Sequence, residues 1–333
     1  MGHYDETEKE YRLALEAKPN NVAVHCDYGL FLEEMGRMDE AEKQYLLALE
    51  ADPKNAYIHF NYGNLMQQME RYEEAEKQYK LALKTDPKHA NTHSNYGNLL
   101  HNMDRLGEAE KQYKLALKAD PKHVPAHSNY GLLLEEMGRL DEAEKQYKLA
   151  LEADPKHVAT HSNYGLFLEE MGRVDEAEKQ YKLAMEADPD DLATHYNYGI
   201  LLYNMDRIDE AEKQYKLVLK TDPKHVLAHS NYGLLLEEMG RVDEAEIQYK
   251  LALKADPKNV ATHSNYGLFL EEMGRLDEAE IQYKLALEAD PNDLATHYNY
   301  GNLLSKMGRL GEAEIQYKLV LEADPRHVNT HSN

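Results

Sequence analysis

The chain has 333 residues and a net charge of −23, from 61 acidic against 38 basic residues, with a single cysteine and no tryptophan. Such acidity argues against a nucleic-acid partner, since phosphate recognition draws on clustered Lys and Arg, and the lone Cys26 excludes an internal disulfide. No apolar run approaches the roughly 20 residues of a membrane span and no secretory leader is seen, so no membrane contact and a cytoplasmic or nuclear location are expected.

Residues 1–21 read as the second half of a truncated repeat: Met1-Gly2-His3-Tyr4 aligns with Met35-Gly36-Arg37-Met38, and Pro19 falls in register with Pro53. From Val22 to His327 a 34-residue period then runs nine times without insertion or deletion, and it carries a Tyr-Gly at Gly29, Gly63, Gly97 and onward. Residues 328–333 read as the start of a further truncated repeat, like 158–163. A fixed period of this length marks stacked supersecondary units, each unable to bury its apolar face alone. Residues 22–327 are therefore expected to form one solenoid domain. Unpartnered ends at 1–21 and 328–333 would favour weak end-to-end self-association.

Val124–His157 serves as the type repeat. Tyr130, Leu133, Leu134 and Met137 recur at helical steps, which predicts a helix over Pro125–Met137 closed by Gly138. A second helix opens at Asp141-Glu142, carries Ala143, Tyr147, Ala150 and Leu151 on one stripe, and stops at Asp154-Pro155. Small Gly131, Ala143 and Ala150 allow close approach, and Tyr130 and Tyr147 fill the space between repeats. Above this period lies a second: repeats three apart, such as those from Val158 and Val260, are most alike, which points to duplication of a triplet.

The spacing of small residues, aromatic and closing proline resembles the tetratricopeptide repeat along the whole chain. That resemblance implies an all-α, right-handed α-solenoid superhelix of helix-turn-helix units, acting as a protein-interaction scaffold. One departure is that His25, His59, His93 and their equivalents hold an early site where the family usually has Trp or another aromatic.

The sixth position of each repeat after the first is asparagine: Asn61, Asn95, Asn129, Asn163, Asn197, Asn231, Asn265 and Asn299, with Asp27 in the first. In the resembled fold this position points into the concave groove, and an amide can match both the N–H and the C=O of one peptide group. The segment AHSNYG is similar to the repeats of O-GlcNAc transferases, in which an asparagine ladder grips a polypeptide backbone. The bland alternative is that these residues tie neighbouring repeats together. Beside the ladder, Glu135, Glu169, Glu237 and Glu271 each open an acidic pair ending its helix, which would favour basic peptide segments; a solvated helix end is the alternative. Gln67-Gln68, His101-Asn102, Tyr203-Asn204 and Ser305-Lys306 replace the pair elsewhere.

Other chemistries fare worse. A clamp for a terminal carboxylate lacks its Lys and Arg, with Ser94, Ser128, Ser162 and Tyr196 at the corresponding sites. His89/His93, His123/His127 and His157/His161 have a metal-compatible spacing. The first of each, however, alternates with Asn55 and Asp191 as a helix cap would, and the second reads as core, so no metal and no other cofactor are expected. Ser94, Ser128 and Ser162 follow a His directly, a spacing at which helical side chains do not face each other, and no catalytic set is expected. Lys43, Lys77, Lys111, Lys145, Lys179 and Lys213 give way to Ile247, Ile281 and Ile315, read either as tighter repeat packing or as a lateral contact on the outer face. The alternatives to a free scaffold are the substrate-recruiting region of a larger enzyme, such as a glycosyltransferase, and a self-assembling array.

Overall fold

The computed structural model describes residues 2–323, and every regular element among them is a helix. The expectations for residues 328–333, and for the last residues of the ninth repeat, lie outside the described residues. Helix α1 (Gly2–Ala17) precedes nine pairs, each a first helix, A, and a second, B. These are α2 (Val22–Glu34) and α3 (Met38–Ala51), α4 (Ala56–Gln68) and α5 (Tyr72–Thr85), α6 (Ala90–Asn102) and α7 (Leu106–Ala119), α8 (Val124–Glu136) and α9 (Leu140–Ala153), α10 (Val158–Glu170) and α11 (Val174–Ala187). There follow α12 (Leu192–Asn204) and α13 (Ile208–Thr221), α14 (Val226–Glu238) and α15 (Val242–Ala255), α16 (Val260–Glu272) and α17 (Leu276–Ala289), α18 (Leu294–Lys306) and α19 (Leu310–Ala323). The type repeat thus runs Val124–Glu136 and Leu140–Ala153, each helix opening one residue earlier than its apolar pattern predicts, because helical geometry begins at the cap and not at the first packed residue.

Local chemistry sets these limits. Every A helix starts behind a residue whose side chain accepts a backbone N–H of the first turn: Asn55 from Tyr57 and Ile58, His123 from Ala126, Asp191 from Thr194. Each A helix closes on a left-handed residue, as Gly138 at φ +71, with Arg139 N–H reaching back to Leu134 C=O at 2.8 Å. Three repeats make that turn with side chains: Glu70 (φ 58), Asp104 (φ 56) and Asp206 (φ 59). The B helices end at Asp before Pro, as at Asp154-Pro155, where the following Lys156 N–H is caught by the Asp154 carboxylate at 3.0 Å.

The described helices fall into two compact units, Met1–Met171 and Gly172–Asn333. Within each, an A helix packs on the B helix of its own repeat through a glycine and a tyrosine; Gly97 faces the ring of Tyr113, which is fully buried. That ring also meets Tyr130 of the next A helix, stacked at 5.9 Å. Ala109 and Ala116 complete the buried stripe of α7. Successive A helices touch one another in each unit, whereas successive B helices among the described residues do not to a comparable degree. The A helices therefore line the inner side of each unit, and the B helices its outer side.

A clamp then joins repeat to repeat. Glu76 of α5 accepts the hydroxyl of Tyr96 at 2.6 Å and the guanidinium of Arg105 at 2.8 Å, while Arg105 also holds Glu108 at 2.8 Å. Equivalent sets link Tyr62, Glu42 and Arg71, and Tyr266, Glu246 and Arg275. The clamp extends to α1, where Glu8 takes Tyr28 at 2.9 Å and Arg37 at 2.7 Å, so α1 is attached to the next repeat as α3 and α5 are. The Arg105 hydrogen bond pulls Glu76 from the ordinary 4.5 to about 2, and Arg275 does the same to Glu246.

Candidate functional site

The ladder positions recur at one register of the A helices, and five of them face the preceding A helix of their own unit. Most are half-buried, and several are already engaged through their amide nitrogen. Asn95 donates to Asn64 Oδ1 at 2.8 Å, Asn129 to Asn98 Oδ1 at 2.9 Å, Asn231 to the Tyr196 hydroxyl at 3.0 Å and Asn265 to Ser230 Oγ at 3.3 Å. Each of these bonds reaches the preceding A helix, so the tie between repeats foreseen as the bland alternative exists at these four. It consumes one N–H and leaves the carbonyl oxygen and the second N–H of each amide. Asn163, Asn197 and Asn299 are half-buried as well. Asn61 differs: it is 4% exposed and its amide lies 3.5 Å from Cys26 Sγ, which closes it off from a ligand. The neighbouring Phe60, where later repeats carry Ser or Tyr, is visible in the sequence; the burial of Asn61 is not.

The acidic pairs divide their labour. The first member turns inward to the buried tyrosine of its own B helix: Tyr147 donates to Glu135 at 2.9 Å, and Tyr249 to Glu237. Burial pushes both carboxyls up, Glu237 to about 7, with Glu272 and Glu238 adding repulsion and the Tyr249 hydrogen bond opposing the rise. Glu169 is likewise half-buried. Glu271 keeps 16% of its side chain exposed and meets Lys306 of the next repeat at 3.4 Å. The second member faces out. Glu136 reaches His101, and Glu238 takes the Tyr203 hydroxyl at 2.5 Å, while Glu170 and Glu272 stand exposed. The accessible charge thus belongs more to Glu136, Glu170, Glu238 and Glu272 than to the four inward residues, a distinction that helical spacing does not resolve because both members end the same helix.

Where Gln67 replaces the acid, the surface becomes neutral. Asn64, Gln67, Gln68, Asn95, Asn98 and Asn102 line a shallow groove of about 430 Å³ on α4 and α6, and Tyr79 bonds both Asn64 and Gln67 at 2.8 Å.

Both histidine series have defined structural tasks. His89, His123, His157 and His225 cap the A helices through Nδ1. Burial lowers the pKa of His123 and so keeps free the lone pair that the cap requires. The second series is buried but is more than core filler. His127 bonds the Pro121 carbonyl through Nε2 at 3.1 Å and Gln146 through Nδ1 at 2.7 Å. A carbonyl can only accept, so Nε2 is the donor to Pro121, and Gln146 Oε1 lies against Nδ1. His93 and His229 repeat the arrangement, bracing each inter-repeat loop against the next B helix. Among the described residues no group of three or more His, Cys, Asp or Glu is placed to hold a metal, and no helix is long and apolar enough to cross a membrane.

Three tetratricopeptide repeat models match the sequence, one at residues 1–68 and 134–193, one at 88–156 and 259–326, and one at 56–89. The chain belongs to the tetratricopeptide repeat family. A further model, the cilia and flagella-associated protein 70 middle TPR-like domain, matches residues 166–270 of this tetratricopeptide repeat chain. Among curated proteins none matches it. Solved structures of similar fold include a human IFIT1 dimer with m7Gppp-AAAA, at a TM-score of 0.63 and 18% identity over 97% of this chain and 87% of that one. A tetratricopeptide repeat protein from Parabacteroides merdae ATCC 43184 has a TM-score of 0.58 and 18% identity over 75% of this chain and 98% of that one. The APC/C hetero-tetramer Cut9-Hcn1 has a TM-score of 0.65 and 15% identity over 90% and 59%. At these identities the likeness is one of fold: an all-α helical repeat solenoid.

Proposed function

We propose that this tetratricopeptide repeat protein is a protein-interaction scaffold whose inner A-helix faces take extended polypeptide, with ladder asparagines on the ligand backbone and carboxylates favouring basic segments. The observation that carries the reading is the half-satisfied state of Asn95, Asn129, Asn231 and Asn265: each amide is held in place by one bond to the preceding helix, with an acceptor and a donor left over. A fixed amide loses little side-chain entropy on binding. A peptide advancing about 3.3 Å per residue past helices about 8–10 Å apart would meet one asparagine at roughly every third residue. The exposed Glu136, Glu170, Glu238 and Glu272 flank that track and supply the preference for Lys or Arg.

The human IFIT1 structure contains m7Gppp-AAAA, but a phosphate ligand suits this inner face poorly, since its charged positions are mainly carboxylates. The test is calorimetry with basic, neutral and acidic extended peptides. Basic peptides are expected to bind, more weakly as salt rises, because exposed charges are screened within about 8–10 Å. Replacing Asn129, Asn231 and Asn265 with Ala is expected to weaken binding with helicity nearly unchanged. Binding blind to charge, or unaltered by the Ala variant, would sink the reading.

A further inference from the structure

The outer side of the second unit departs from the repeat pattern in one register. On α15, α17 and α19 the isoleucines 247, 281 and 315 stand where the six preceding B helices carry lysine. Their exposures are 53%, 55% and 57%, and Leu251, Leu285 and Leu319, one turn on, are 38%, 37% and 41% exposed. Tighter repeat packing, one of the two readings of this substitution, is thereby overturned: the packed side of α15 is Ala245, Tyr249 and Ala252, and Ile247 points away from it. Residues four apart share one ridge of a helix. Three such ridges recur in the same register on consecutive B helices, an ordered array of exposed apolar pairs that scattered single side chains do not make.

The same exchange uncovers negative charge. In earlier repeats the lysine stands one turn after an acid, as Lys213 after Asp209, and it helps draw Glu210 down. With isoleucine in its place, Asp243 and Asp277 remain exposed at the head of their ridges with no side-chain partner among the described residues. Glu288 and Glu322 are exposed at the far ends of α17 and α19. Lys250 and Lys284 do not offset them, being paired at 2.7 and 2.7 Å with Glu246 and Glu280 of their own helices, and exposed Lys254 at the far end of α15 makes that one corner basic against four acids. An apolar surface rimmed by acids repels a second copy of a chain carrying −23. It complements a partner that is apolar in the middle and basic at its edges.

We propose that the Ile247–Leu251, Ile281–Leu285 and Ile315–Leu319 ridges dock an amphipathic helix of a partner protein, its leucine-type face on the ridges and its Lys or Arg on the acidic rim. Successive B helices do not pack on one another as directly packed helices about 8–10 Å apart do, so the three ridges span more than about 20 Å, which a helix of about 18 residues covers at 1.5 Å per residue. The surface lies on the B helices and does not depend on the reading of the inner face.

The probe is a dye-labelled peptide of leucine and lysine, about 18 residues long so as to span the ridges, with all leucines on one helical face. Its controls are a shuffled peptide of the same composition and a version with glutamate for lysine. Fluorescence anisotropy compares the natural chain with Ile247→Lys/Ile281→Lys/Ile315→Lys. Six other repeats carry lysine at this site, so the variant is expected to keep its fold, checked by circular dichroism and melting. The amphipathic peptide should bind the natural chain and lose at least about tenfold in affinity for the triple variant, while binding of an extended basic peptide to the inner face stays the same. A second variant, Asp243→Asn/Asp277→Asn, should weaken binding several-fold and flatten its salt dependence. The proposal is overturned by equal binding to the triple variant, by a shuffled or glutamate peptide binding as well, or by no binding at all. It is also overturned if sedimentation shows the natural chain dimerising through these isoleucines, which would assign the face to a second copy.

Discussion

Gly97 and Tyr113 occupy space that only a glycine leaves open: a β-carbon on Gly97 would lie 2.7 Å from Cε1 of the buried Tyr113 ring. The ring has no room to swing aside, because its far side is stacked on Tyr130 of the next repeat. One missing methyl thus permits both the hairpin within a repeat and the ring contact between repeats.

Gly97→Ala is accordingly expected to destabilise the chain by about 1–3 kcal/mol, the usual cost of overpacking. Gly107→Ala is the matched control: it lies in the first turn of α7 with nothing near its added methyl, and should stabilise by about 0.5–1 kcal/mol. Chemical denaturation of the two variants checks this. Opposite signs are the point, since a general intolerance of alanine would move both downward.

The clamp makes the stack sensitive to acid. Glu76 is held at about 2 by Arg105 against an ordinary 4.5, so the unfolded chain takes up its proton first. The stability it contributes is complete above pH 4.5 and lost as pH falls toward 2. Glu76→Gln should cost about 1–3 kcal/mol at pH 7, because it strands the hydroxyl of Tyr96 and the Arg105 guanidinium beside a weaker acceptor. The deficit should shrink steadily below pH 4 and vanish near pH 2. A deficit that ignores pH would mean the pair acts through packing alone.

Glu70, Asp104 and Asp206 turn the chain through the left-handed region that six other repeats give to glycine. An L side chain there costs about 1–2 kcal/mol, and glycine returns part of that by freeing the unfolded chain, about 0.4–1 kcal/mol. Glu70→Gly and Asp206→Gly should therefore each stabilise by about 0.5–1 kcal/mol, with the smaller gain at Asp206, since Asp tolerates this region better than Glu. Thermal melts of the single and double variants give the answer, and a loss at either site would show that the side chain has a partner worth more than the strain.

The helix pairs, caps and turns were legible because each is written in a few neighbouring residues: Asn55 or His123 before a helix, Gly138 after it, Asp154-Pro155 at the next stop. Contacts between repeats were harder to see. Glu76 meets Arg105 across 29 residues, and in sequence that arginine reads as part of a turn signal. The inner face was legible as a row of asparagines, but not its polarity. The amide N–H is spent on a neighbour in each case, but its acceptor is Asn64 or Asn98 for Asn95 and Asn129, and Tyr196 or Ser230, at another register of the preceding helix, for Asn231 and Asn265. For Ile247 the departure from lysine was plain, and its direction was not, because a lysine stem covers apolar surface nearly as an isoleucine does.

Glu237 supplies a signature of basic ligands. Burial, with Glu272 and Glu238 nearby, raises its carboxyl from the ordinary 4.5 to about 7, while its hydrogen bond from Tyr249 favours the anion. Near neutral pH the group is therefore partly protonated in the free protein. A Lys or Arg side chain docking on α14 stabilises the carboxylate and expels that proton. Calorimetry at pH 6.5 in two buffers of different ionisation enthalpy should show proton release on binding a basic extended peptide, fading at pH 9 and absent from Glu237→Gln. The folding linkage has the opposite sign from that of Glu76. With the folded value above the unfolded one, the native state holds the extra proton, so stability is greatest below pH 4.5 and falls as pH rises through 7. Glu237→Gln should then be more stable than the natural chain at pH 8 and little different at pH 4. Binding heats identical in both buffers at pH 6.5, with affinity intact, would place the basic side chains away from Glu237 and leave the exposed Glu238 and Glu272 as the charges that draw them.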